Sequence, residues 1–115
     1  MKVVINACHG GFGLSHQAMM LYSEFADLDL GWSESDYGHI HYYVDGMIDD
    51  DKFHFSERDI PRDDPYLIAV VEKLGEKAND TYSELKIVEV PDDVNWYIEE
   101  YDGREWVAER HRTWE

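Results

Sequence analysis

The chain has 115 residues, with 26 Asp or Glu against ten Lys or Arg, so its formal net charge is -16. This length suits one domain with its own core, and 43% apolar residues exceed what a disordered acidic tail carries. A field this negative repels nucleic acid and anionic membranes and attracts basic proteins. We therefore predict no direct nucleic acid binding and no membrane association.

Cysteine usage and the first residues indicate a compartment. Cys8 is the only cysteine, so the chain cannot form an intramolecular disulfide, which is typical of the reducing cytosol. The first residues lack a basic stretch followed by a long apolar run, so we predict no signal peptide. No apolar stretch approaches the ~20 residues that a membrane-spanning helix needs. These features predict a cytoplasmic protein.

The amino-terminal segment predicts a strand, a glycine-rich loop and a helix in succession. Residues 3–5 are apolar and β-branched, which is typical of a buried strand, and residues 6–14 include three glycines. Ser15 is a good N-cap for a helix. The apolar face of that helix has the spacing i, i+3, i+4 and i+7 and comprises Ala18, Leu21, Tyr22 and Phe25.

Residues 27–57 give the weakest pattern in the chain. Apolar and more polar residues alternate over 40–44, which predicts a half-buried strand. Asp45-Gly46 indicates a turn. The aromatic alternation at 53–55 suggests a second short strand.

A second helix is predicted from Asp64-Pro65, an Asp N-cap followed by Pro at the first helical position. Its apolar stripe comprises Leu67, Val70, Val71 and Leu74. Gly75 is interpreted as a weak position inside this helix, costing ~1 kcal/mol relative to Ala. Asn79 is predicted to end the helix in a left-handed conformation.

The carboxyl-terminal half predicts a strand over 85–90, closed by Pro91, and then a β-hairpin. Residues 95–101 and 104–110 flank Asp102-Gly103, a preferred two-residue type I′ turn. Pairing across this turn places Ile98 opposite Val107 and Glu99 opposite Trp106. Both faces carry large apolar residues, so the pattern does not decide which face is buried. We predict one α+β domain over residues 1–115, with two helices packed on a mixed or antiparallel sheet and a carboxyl-terminal hairpin.

The glycine-rich loop is one candidate binding site. A loop between a strand and a helix N-terminus presents free N–H groups to a phosphate or carboxylate. The loop lacks the Lys-Ser/Thr ending of a P-loop, and His16 stands where a dinucleotide motif has its third glycine. A tight structural connection is the alternative.

Clustered arginines are a second feature of this acidic chain. Arg104 and Arg110 lie in or next to the predicted hairpin, and two further arginines lie in the connector over residues 58–63, which is rich in turn residues. Folding of the hairpin onto the connector would frame an anion site beside the glycine loop. Ordinary pairing with carboxylates is the alternative. The predicted ligand-binding residues are Asn6, His9, Gly10, Gly11, Phe12, Ser15, Arg58, Arg62 and Arg112.

Metal and catalytic chemistry find less support. His39 and His41 would share one face of a strand, but neither they nor His54 have the spacing of a known metal motif. Cys8 precedes the helix start by several residues, which limits any lowering of its pKa by the helix dipole. We predict no metal and no cofactor, identify no catalytic residue, and favour a binding protein over an enzyme.

Clusters of aspartate are candidates for contact with a basic protein partner, with exposed Tyr or Trp residues contributing apolar contacts. They comprise Asp45, Asp49, Asp50, Asp51, Asp92 and Asp93. Solubility, or a high-salt host that selects acidic surfaces, is the plain alternative for this much charge.

Four segments together resemble a family of short proteins that bacteriophage and prophage genomes encode. They are residues 4–15 (VINACHGGFGLS), 58–65 (RDIPRDDP), 84–94 (ELKIVEVPDDV) and 99–114 (EEYDGREWVAERHRTW). The resemblance covers most of the chain outside roughly residues 27–55. It implies a phage setting and no particular reaction, and by analogy it favours a small inhibitor of a host or defence protein.

Two functional hypotheses remain, and a third, plainer option is an accessory domain with no ligand of its own. The first is a cytoplasmic protein that binds and modulates a basic host or defence protein through its negative surface. The second is a binder, sequestering protein or enzyme for an anionic nucleotide-like molecule, using the glycine-rich loop and the arginines. The oligomeric state stays open.

Overall fold

The computed structural model describes residues 1–110 of the chain, which contain two α-helices and seven strands joined by loops and short 3-10 turns. The helices are α1 (His16–Phe25) and α2 (Pro65–Leu74). The strands are β1 (Lys2–Asn6), β2 (Gly31–Glu34), β3 (Ile40–Tyr43), β4 (His54–Phe55), β5 (Leu85–Glu89), β6 (Trp96–Tyr101) and β7 (Arg104–Glu109). They form three antiparallel sheets in the orders β1-β5, β2-β3-β4 and β6-β7. The α+β class and the carboxyl-terminal hairpin are confirmed.

Strand β1 lies between two apolar clusters. Successive side chains of a strand point to opposite faces, and Val4 packs with the two helices, whereas Val3 and Ile5 pack with hairpin residues. Val3 and Val4 are fully buried, and each such side chain contributes about 1.5–3 kcal/mol of hydrophobic stabilisation. The predicted buried strand is therefore confirmed, and it is covered by helices on one face and by the hairpin on the other.

Both helices begin at their predicted caps. The Ser15 hydroxyl accepts a hydrogen bond from the N–H of Ala18 at 3.1 Å, and the Asp64 carboxylate accepts from two N–H groups of the first turn of α2. The left-handed end predicted at Asn79 is wrong, and the chain reaches this residue through a 3-10 turn over Gly75–Ala78. Helix α2 stops at Leu74 because Gly75 takes a positive φ of 55°, whereas Asn79 is extended, with a φ of -69°.

The β2-β3-β4 sheet is built from the segment with the weakest pattern. Strands β3 and β4 fall where the alternation predicts them, but β2 was not predicted. Its short sequence lacks a clear alternation, and its position depends on a distant contact. A Cβ atom on Gly31 would lie 2.7 Å from the side chain of Ile48, so the connection after β3 packs directly on β2.

The hairpin follows the predicted register, with Ile98 opposite Val107 and Glu99 opposite Trp106. Its turn residue Asp102 has a φ of 49° and the following glycine a φ of 86°, as a type I′ turn requires. The face with Ile98 and Val107 packs on β1, and the face with Trp106 is exposed. Within residues 1–110, no helix combines the length and apolar character needed to cross a bilayer.

Candidate functional site

The glycine-rich loop is packed tightly against other backbone segments. A Cβ atom on Gly10 would lie 1.7 Å from the carbonyl oxygen of Tyr82, and one on Gly13 would lie 1.8 Å from the Asp80 carboxylate. Gly103 of the hairpin turn also approaches this loop, since its Cβ would lie 2.5 Å from atoms of the loop backbone. These glycines therefore serve the close approach of protein segments to one another.

Asn6 lies at the centre of this packing and is fully buried. Its side-chain amide donates hydrogen bonds to the carbonyl groups of Cys8 and Gly103, each at 2.7 Å. Its carbonyl oxygen accepts from the backbone N–H of Glu84 at 2.8 Å and from the Cys8 thiol at 3.4 Å. The amide thus joins the loop, the hairpin turn and the start of β5, and it is not presented to a ligand.

Arg62 meets the carboxylate of Glu105 in a buried two-point ion pair. The two Nη atoms donate to the two Oε atoms at 2.6 and 2.8 Å, and the guanidinium lies 3.5 Å from the centre of the Phe12 ring. The same carboxylate accepts from the N–H of Asn6 at 2.8 Å. The hairpin does fold onto the connector, as the anion-site hypothesis requires, but it brings its own carboxylate to the arginine.

A small cavity of about 250 Å³ lies beside this pair. It is lined in part by Gly11, Phe12 and Arg58, which were predicted to bind a ligand, and also by Glu100 and Glu105. The positive charges of Arg58 and the neighbouring Arg62 are therefore matched by two carboxylates. An anion in this cavity would face both of them, so the site gains little attraction for a phosphate.

The remaining predicted ligand residues are dispersed or engaged elsewhere. Ser15 caps α1 and donates to the carbonyl of Lys77 at 2.7 Å, and His9 is exposed on the loop. Arg110 lies over the ring of Tyr97, with 4.8 Å between guanidinium and ring centre. Arg112 lies outside the described residues.

The predicted partner-binding aspartates lie on two different connections. Asp45 and Asp51 are exposed between β3 and β4, where Asp49 accepts from the Ser33 hydroxyl at 2.8 Å and Asp50 caps a short 3-10 turn. Asp92 and Asp93 lie between β5 and β6. Asp92 contacts the Met1 amino group at 2.6 Å, and this contact lowers the pKa of its carboxyl.

Exposed apolar side chains are concentrated beside the first of these groups. We define the acidic lobe as residues 27–57, which contain the whole β2-β3-β4 sheet. Its large exposed apolar residues are Leu28, Trp32, Tyr37, Met47 and Ile48. Its acids are Asp27, Asp29, Glu34, Asp36, Asp45, Asp49, Asp50, Asp51 and Glu57, against the single base Lys52. The lobe thus combines dense negative charge with exposed aromatic and aliphatic surface.

A polar cleft of about 460 Å³ opens between this lobe and the start of α1. In it, the Tyr42 hydroxyl is 2.9 Å from His16 Nδ1, and the His16 ring meets Trp32 edge-on at 4.8 Å between centres. Burial, and secondarily the charge of Glu57, raises the pKa of Tyr42 to about 12. The cleft joins segments far apart in the chain, and only Ser15 of its lining was predicted as a ligand residue.

The five histidines within residues 1–110 do not converge on a metal site. The rings of His41 and His54 lie on neighbouring strands with 6.0 Å between their centres. Among residues 1–110, no three His, Cys, Asp or Glu side chains come together in an arrangement that could hold a metal ion.

Comparison with known protein families, curated proteins and solved structures finds no match to this chain.

Proposed function

We propose that this is a phage-encoded cytoplasmic protein that binds and modulates a basic host or defence protein through its acidic lobe. The observation that carries the proposal is the concentration of five large exposed apolar side chains among nine carboxylates and a single lysine over residues 27–57. The phage setting comes from the sequence resemblance alone.

The two components of this surface have complementary effects on binding. Carboxylates attract a basic surface from a distance and raise the rate of association, especially at low salt. Exposed aromatic and large aliphatic side chains provide most of the binding energy once they are desolvated against a partner. Trp32, which is 42% exposed, and Tyr37, which is 90% exposed, are the aromatic side chains of this kind in the lobe.

The alternative, binding of an anionic nucleotide-like molecule at the glycine-rich loop, has weaker support. Arg58 and Phe12 do line a common cavity, which favours a site there. However, Arg62 is already paired with Glu105, and two of the three loop glycines, Gly10 and Gly13, are packed against other protein segments. A charge-neutral cavity of this size gives little reason for an anion to bind.

The test begins with capture of partners on the immobilised protein from a lysate of a phage host at low salt. Affinity for the purified partner is then measured at low and high salt. We expect a basic protein whose affinity falls with salt, and a roughly tenfold or greater loss in Trp32→Ala, as for an interface hot spot. The matched control is Trp106→Ala on the hairpin, since Trp106 is also 42% exposed.

Two results would count against this proposal. One is the failure to recover any basic protein at low salt. The other is an equal loss of affinity in Trp32→Ala and Trp106→Ala. A rise in melting temperature on addition of nucleotides or cyclic dinucleotides would instead support the alternative.

A further inference from the structure

The polar cleft beside Trp32 continues the acidic lobe toward helix α1. Its walls come from the start of α1, from β3, from the 3-10 turn at Glu57 and from the loop at Asp80. Trp32 contacts the cleft through its edge-on packing with His16. A partner that covers Trp32 would therefore also lie next to the cleft, because Trp32 contacts His16 of its lining.

The aromatic wall of the cleft is held in place by internal contacts. The rings of His16 and Tyr42 are stacked with 5.8 Å between their centres, in addition to their hydrogen bond at 2.9 Å. Tyr42 is only 7% exposed, so its ring is fixed by the core. A wall that is ordered in advance costs little entropy when a ligand binds.

The charge of the cleft is negative. Glu57 and Asp80 line it, and among residues 1–110 no Lys or Arg side chain does. The amino-terminal end of α1 opposes a cation, but the effect of a helix dipole is small at an exposed site, and the Ser15 cap already satisfies the N–H of Ala18. Two carboxylates therefore determine the sign of the charge that the cleft accepts.

We infer that the cleft receives an arginine side chain of the basic partner, with Glu57 and Asp80 as its carboxylate ligands and the His16–Tyr42 pair as its aromatic wall. A planar guanidinium suits this arrangement better than an ammonium group, because it pairs with carboxylates through several donors and stacks on rings. This inference rests on the proposed function, since it identifies a contact within the same interface.

The test uses the full chain without its partner, so that it is independent of partner capture. N-acetyl-argininamide is titrated into the protein while the resonances of His16, Tyr42 and Glu57 are followed by NMR. We expect saturable shifts, weakened roughly tenfold in Glu57→Gln, which corresponds to about 1.4 kcal/mol. Asp80→Asn, which keeps the oxygen that accepts from Tyr82 N–H, should weaken them as well.

Glu109→Gln is the matched control, because it removes one exposed carboxylate outside the cleft. Equal weakening by this control, equal or tighter binding of N-acetyl-lysinamide, or shifts at the same residues with inorganic phosphate would each overturn the inference. Argininamide binding in the cleft without any captured partner would support the inference and contradict the proposed function. Partner capture without argininamide binding would support the proposed function and contradict the inference.

Discussion

The glycine-rich loop and the acidic lobe contain similar turn and polar residues, but the two regions use them in opposite ways. In the loop, the side chain of Asn6 is fully buried, and both its amide nitrogen and its amide oxygen form hydrogen bonds within the protein. In the lobe, Asp45 and Asp51 are exposed next to exposed apolar side chains. Polar groups that turn inward hold segments together, whereas those that remain outward are available to a partner. The more distinctive motif is therefore structural, and the less distinctive segment carries the candidate interface.

Glu105→Ala should have the largest effect on stability, because it breaks the ion pair that joins the hairpin to the connector. The change leaves the Arg62 side chain, only 16% exposed, without its carboxylate. Loss of one partner of a buried pair costs about 3–5 kcal/mol. Urea unfolding followed by tryptophan fluorescence measures this loss. Glu109→Ala on the same strand is the control, and a similar small loss in both variants would contradict the structural role of the pair.

Gly10→Ala tests whether the loop glycines serve packing. The new Cβ would lie 1.7 Å from a backbone oxygen of Tyr82, which cannot move aside as a flexible side chain does. We expect a loss of about 3 kcal/mol. In Gly11→Ala nothing lies within 4 Å of the new Cβ, and only its φ of 94° is unfavourable, so a loss of about 1 kcal/mol is expected. Thermal unfolding compares the two, and the reverse order would refute this interpretation of the loop.

Alkaline pH should destabilise the fold through two buried tyrosines, one in helix α1 and one in the acidic lobe. Burial raises the pKa of Tyr22 in α1 and of Tyr42 in the lobe from 10.0 to about 12, with smaller contributions from Asp64 and Glu57 respectively. The unfolded chain then loses these protons near pH 10, before the folded protein does. The contribution of these two tyrosines to the free energy of unfolding is therefore complete below pH 10. Between pH 10 and pH 12 it falls by up to ~1.4 kcal/mol per pH unit for each tyrosine.

Urea unfolding at pH 9, 10, 11 and 12 measures this dependence. Tyr22→Phe and Tyr42→Phe should each make the loss of stability above pH 10 less steep. A loss of the same steepness in either variant would show that the corresponding hydroxyl does not contribute to it.

The double change Asp45→Asn with Asp51→Asn should have the smallest effect on stability. Asn tolerates the positive φ of 55° at position 45, and both aspartates are exposed, so the free energy of unfolding should change by less than about 0.5 kcal/mol. Affinity for a basic partner should nevertheless fall, most clearly at low salt. A marked loss of stability would show that these aspartates are structural and would remove the contrast with the loop.

Much of the fold could be predicted from local chemistry. Ser and Asp residues commonly cap helices when they precede an apolar helical stripe, and Ser15 and Asp64 do so here. Asp102-Gly103 sets the register of the hairpin because both residues accept positive φ. The end of α2 was predicted wrongly because Gly75 takes up the positive φ first. Asn79 instead uses its side-chain oxygen to accept from the N–H of Leu85 at 2.8 Å.

The arrangement of the candidate sites could not be predicted in the same way. Clustered arginines indicate attraction to anions, but whether an anion binds depends on which carboxylates fold against them. Glu105 is one of 26 acids, and nothing local distinguishes it as the partner of Arg62, 43 residues away in the chain. The cleft formed by His16, Tyr42, Glu57 and Asp80 likewise depends on contacts among four separate segments.

Composition and neighbours within a few residues were enough to predict the strongly negative charge, the helix starts, the hairpin and the buried first strand. Three features emerge only in the folded structure: Gly10 and Gly13 pack against other segments, Arg62 is paired with Glu105, and large apolar side chains are exposed among the acids of residues 27–57. These features depend on contacts between distant segments, and the free energy of such contacts is set by packing and desolvation in three dimensions.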